Sequence, residues 1–100
     1  MQKVLKLDAN GSAVPVFCPG ATVTATPSGG SAATAAVINA TDEQIVRVVA
    51  TAAVNIAMGN TATANDMYLP SGVVEYYIVP ANTKVAAYGT ATVYITLHTN

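Results

Sequence analysis

Strand-like alternation with almost no charge on its outward side is the feature that most constrains this chain. Near the C-terminus Val93, Ile95 and Leu97 alternate with Thr92, Tyr94, Thr96 and His98. Successive side chains of a strand point to opposite faces, so the first set defines a core side. The other side carries Thr and Tyr where a solvated sheet would carry Lys and Glu. The pattern recurs from Arg47 to Gly59, with Val48, Ala50, Ala52, Val54, Ile56 and Met58 on one face and Val49, Thr51, Ala53, Asn55 and Ala57 on the other. Outer faces this small and weakly polar suit burial against another protein surface.

Composition points the same way. Of 100 residues 52% are hydrophobic and only 9% charged, against roughly 25% charged in an average soluble domain. The length suits one domain over residues 1–100, with a core modest enough that subunit contacts would help it. The basic residues Lys3, Lys6, Arg47 and Lys84 are scattered and the net charge is −1, so no stripe exists to neutralise a phosphate backbone, and nucleic acid is not an expected partner. Nor is a membrane: the longest apolar stretch, Ile45 to Met58, contains Arg47, Thr51 and Asn55 and is shorter than the about 20 apolar residues of a spanning helix. Lys3, Lys6 and Asp8 interrupt the region where a signal peptide would be apolar. Cys18 is the only cysteine, which excludes an intrachain disulfide.

Along the chain, Lys3–Leu7 and Ala13–Phe17 flank Asn10-Gly11 as a hairpin whose second strand, bearing Pro15, belongs at an edge. Cys18-Pro19-Gly20 reads as a turn, Thr22–Thr26 as a short β-branched run and Pro27–Ser31 as loop. Thr41–Met58 is two-sided. Thr41 and Gln44 fit a helix capping box, with Ile45, Val49, Ala52 and Ile56 at helical spacing. The density of Val, Ile and Thr favours strand instead, bent or broken near Thr51–Ala53. Asn60–Pro70 reads as polar loop re-entering order over Asp66–Pro70, Ser71-Gly72 as turn, Val73–Val79 as strand, Pro80–Thr83 as turn, Lys84–Tyr88 as strand and Thr92–Leu97 as the last strand. The expected fold is all-β: one antiparallel sandwich, jelly-roll-like or immunoglobulin-like, of roughly seven or eight short strands.

Chemistry-bearing residues are sparse. His98 has no second ligand or orienting partner in the sequence, and Cys18 has no nearby base. Asp8, Asp42, Glu43, Asp66 and Glu75 show no calcium-loop or glycosidase spacing. The expectation is therefore a non-enzymatic protein with no catalytic residue, cofactor or metal. Asp66 suits capping its own loop.

From Arg47 onward, Arg47–Gly59, Ala62-Thr63-Ala64, Asp66–Pro70, Gly72–Val79, Lys84-Val85-Ala86 and Ala91–Thr96 together resemble small uncharacterised proteins encoded among tailed-phage structural genes. The resemblance covers about the last half of the chain, and its motifs are structural. It implies a β-sandwich virion component, assembled in the host cytoplasm. The favoured role is a capsid decoration or cement subunit, homotrimeric and bound to the major capsid protein; a neck or tail ring component is the alternative. A carbohydrate- or receptor-binding module is a further reading, which the absence of Trp weakens.

If Pro80–Thr83 closes a hairpin, Val79 faces Lys84, Tyr77 faces Ala86 and Glu75 faces Tyr88, while Tyr76 and Ile78 face Ala87 and Val85 on the core side. A three-residue Gly89-Thr90-Ala91 connection, with Gly89 free to take positive φ, then sets Tyr94 opposite Ala86. Tyr77, Ala86 and Tyr94 would form an outward row, with Tyr88 and Glu75 beside it, as a candidate subunit or capsid contact; the alternative is that the faces are inverted and these tyrosines fill the core.

Overall fold

The structure is a computed structural model, describing residues 17–99; the expected Lys3–Leu7 and Ala13–Phe17 hairpin, except for Phe17, lies outside them. Eight strands run in chain order: β1 (Pro19–Ala25), β2 (Ser28–Ala33), β3 (Gln44–Ala50), β4 (Val54–Met58), β5 (Met67–Leu69), β6 (Glu75–Val79), β7 (Val85–Thr90) and β8 (Val93–His98). They form two antiparallel four-stranded sheets, ordered β1-β8-β3-β6 and β2-β7-β4-β5. Among the described residues there is no helix, so the all-β sandwich is what the chain forms. Apart from β4 to β5, every connection between successive strands passes from one sheet to the other. This alternation gives the strand order of a jelly roll, the sandwich of two interleaved Greek keys.

The region from Thr41 to Met58 shows why. β3 buries Gln44, Val46, Val48 and Ala50, and β4 buries Val54 and Ile56. The alternation continues through the break at Thr51–Ala53, so both strands present their even-numbered residues to the same core from opposite sheets. Density of β-branched residues therefore outweighs the capping box. Asn39, not Thr41, organises the entry: its Oδ1 accepts from the backbone N–H of Thr41 and of Asp42, each at 3.1 Å. Val46, Val48, Val54, Leu69, Val79, Val85, Val93 and Ile95 are almost fully removed from water and pack between the sheets.

Four expectations need correction. Pro19 and Gly20 open β1 rather than a turn, Pro19 lying opposite His98. Ser28–Ser31 is strand rather than loop: it begins β2, and Gly29, at φ 76°, sits where its pairing with β7 shifts register. Finally, Pro80–Thr83 turns the chain but closes no hairpin, since β6 pairs with β3 in one sheet and β7 lies in the other. Likewise Gly89 and Thr90 belong to β7, although Gly89 does take positive φ, 143°.

Buried polar groups are satisfied where the first sheet ends. Gln44 Nε2 donates to the carbonyls of His98 (2.7 Å) and Ile45 (3.0 Å), while Asn39 Nδ2 donates to Gln44 Oε1 (3.3 Å). His98 Nδ1 accepts the Cys18 N–H at 3.0 Å, so the neutral ring carries its proton on Nε2. Phe17 stands 5.3 Å from the imidazole, ring centre to ring centre. Alternation would put His98 outward; Phe17 and the chain at Cys18 cover it.

Candidate interaction surface

The proposed row of Tyr77, Ala86 and Tyr94 does not exist as one face. Tyr77 (β6) and Tyr94 (β8) are in the first sheet and Ala86 (β7) is in the second. Ala86 is fully buried, lying opposite Ala33 and Ala57. Tyr77 packs against the core, and Tyr76 and Ile78, expected inside, are 55% and 60% exposed. The faces of β6 are thus the reverse of the expectation. Tyr94 and Tyr88 are outward and exposed as expected, but on opposite sheets, and Glu75 is exposed on β6. Burial raises the Tyr77 phenol above its ordinary 10.0, and the nearby Glu75 carboxylate adds to the rise.

Sequence reasoning missed where the exposed apolar side chains gather. Short connections at Thr26-Pro27, Thr51–Ala53 and Ala91-Thr92 join β1 to β2, β3 to β4 and β7 to β8. Each joined pair must face across the core, which sets β6 beside β3 and β5 beside β4 on one flank. Met67 and Tyr68 of β5, Val73 of the following loop, and Tyr76 and Ile78 of β6 are all exposed there. Five of the eight exposed large hydrophobic residues belong to this flank, so the surface is polarised. The loop under it is fixed: Asp66 Oδ2 accepts the Thr63 N–H at 2.7 Å, the self-capping expected of it, and Asn55 Nδ2 donates to the Asp66 carbonyl at 2.9 Å.

The outer face of the first sheet adds a groove of about 460 Å³ lined by Phe17, Pro19, Gly20, Thr22, Arg47, Tyr76 and Thr96. Register explains it. Thr22 lies opposite Thr96, Thr96 opposite Arg47 and Arg47 opposite Tyr76, one row across four strands. The two threonine hydroxyls bond each other at 2.9 Å, and the Phe17 and Tyr76 ring centres stand 5.5 Å apart. Arg47 is the one charged residue of this row.

Among the described residues, no group of three or more His, Cys, Asp or Glu is placed to hold a metal, and no helix is long and apolar enough to cross a membrane. The flank and the groove present rings, aliphatic side chains and the Arg47 guanidinium. No family model, curated protein or solved structure matches this chain.

Proposed function

We propose that the chain is a non-catalytic structural subunit of a tailed-phage particle, attached to the outside of the capsid as a decoration protein. The single observation behind its adhesive mode is that five of the eight exposed large hydrophobic residues, Met67, Tyr68, Val73, Tyr76 and Ile78, belong to the β5–β6 flank. The particle setting rests on the resemblance of residues Arg47–Thr96 to proteins of phage structural gene clusters. Energetics favour a patch over a single anchor. Fully burying one large apolar side chain contributes about 1.5–3 kcal/mol, whereas immobilising a free subunit costs about 4–15 kcal/mol. One residue would not hold a subunit to a shell; several along one flank, multiplied by self-association, do. Neck or tail attachment would use the same chemistry at another place on the particle.

The test is co-sedimentation of purified protein with capsids of the encoding phage, prepared from a strain lacking the gene. Saturable binding is expected. Met67→Ser with Tyr68→Ser, both exposed side chains on β5, should weaken it by about tenfold or more, as removing large apolar contacts does. Absence of saturable binding contradicts the reading, and binding to host surface polysaccharide instead would replace it with the carbohydrate-binding one.

A further inference from the structure

A β-sandwich ends in four sheet edges, and an edge with free N–H and C=O groups recruits strands from other chains unless something blunts it. Three of the four edges here are blunted. β1 opens with Pro19, which has no N–H, and its register shifts between Pro19 and Thr22. β2 has a register shift between Ser28 and Gly30, with Gly29 at φ 76°. β5 is only three residues long. β6 has none of these devices. It runs in unbroken register with β3, from Val79 opposite Gln44 to Glu75 opposite Val48, and contains no Pro, Gly or Lys; its one charge, Glu75, stands at its first residue. Among the described residues no strand pairs with its other side. Its outward residues, Tyr76 and Ile78, are the exposed apolar pair noted above.

We propose that β6 is the seam of a two-fold dimer, pairing antiparallel with β6 of a second copy so that two first sheets become one continuous sheet. The sequence of β6 is self-complementary in that arrangement. Centred on Tyr77, Tyr76 lies opposite Ile78 of the partner subunit, and Glu75 lies opposite Val79 of the partner subunit. An aromatic ring meets a β-branched side chain twice on the outer face, and no like charges meet. Each copy presents the same patch to the other, as a two-fold interface requires. The inference shares with the adhesive reading the premise that protein covers this flank, but it does not depend on a capsid.

The test is sedimentation equilibrium of the full chain up to about 1 mM, where even weak pairing is populated. A reversible dimer is expected, with amides of residues 75–79 gaining exchange protection as concentration rises. Tyr76→Lys with Ile78→Lys sets Lys against Lys in both outward pairs and should raise the dissociation constant at least about a hundredfold. Tyr76→Lys with Ile78→Glu sets Lys against Glu in both pairs and should restore affinity to within about tenfold of the parent. These side chains are exposed, and near-ultraviolet circular dichroism verifies that each variant is folded. A parent chain that stays monomeric overturns the seam, as does a Lys/Lys variant that dimerises like the parent or a Lys/Glu variant that remains as weak as Lys/Lys. A monomer that still binds capsids overturns the seam alone; a dimer of this register that ignores capsids overturns the capsid reading alone.

Discussion

Replacing Ile95 with Ala lowers the unfolding free energy by about 3–5 kcal/mol, the upper part of the range for large-to-small core changes. Ile95 is fully buried on β8, between β1 and β3, opposite Val23 on one side and Val48 on the other. Pairing on both sides leaves the backbone little freedom to collapse into the vacated space, so the cavity persists. A domain of this kind has about 5–15 kcal/mol in total, and a 100-residue chain with a modest core belongs toward the lower end. Up to half or more of its stability goes with one side chain. Val23→Ala is the control: Val23 faces the same interior but is 37% exposed at the edge, and its loss should be well under half as large. Urea titration of both variants checks this; a loss below about 1 kcal/mol for Ile95→Ala would place the core elsewhere.

Gly89→Val should be nearly as damaging for a different reason. Gly89 holds φ at 143°, a conformation that side-chain-bearing residues rarely adopt. A Cβ there would stand 3.2 Å from both the Ala53 carbonyl oxygen and Val54 Cγ1. The carbonyl is backbone, at the crossing from β3 to β4, and cannot rotate away. Strain of about 1–3 kcal/mol adds to overpacking of about 1–3 kcal/mol. Gly29→Val meets no atom within 4 Å at a position that is also strained, φ 76°, so it isolates the strain. Equal losses for the two variants would show that the Ala53 contact contributes nothing.

These two positions also show how far the fold was legible in the sequence. Alternation over Val93–Leu97 and Val48–Ile56 identifies the core face correctly, because one side of each run is distinctly more apolar. In β6 both sides are apolar, Tyr76 and Ile78 against Tyr77 and Val79. Periodicity then groups residues without saying which group is inside. The face assigned from a hairpin at Pro80–Thr83 fails because a turn fixes chain reversal, not membership of a sheet. In a jelly roll most reversals carry the chain across the core, so neighbours in sequence become partners across the interior rather than along the ladder. The same long-range pairing hides the groove: Thr22, Thr96, Arg47 and Tyr76 are brought into one row by three ladders between strands distant in sequence. Ser28–Ser31 was illegible because glycines serve a bulged edge strand as readily as a loop. The exposed flank itself had a signal. Met67, Tyr68, Val73, Tyr76 and Ile78 fall within one short stretch holding two acidic residues, Asp66 and Glu75, and no basic one.

The proposed role requires this weakly charged surface to be covered on a phage particle. If a phage encodes the chain, an image reconstruction of its intact virion is the test. Density for a two-sheet sandwich is expected outside the shell, with the β5–β6 flank at its contacts and solvent over the β1–β2 flank. Purified particles that lack this chain, or that carry it with the β5–β6 flank facing open solvent, would contradict it.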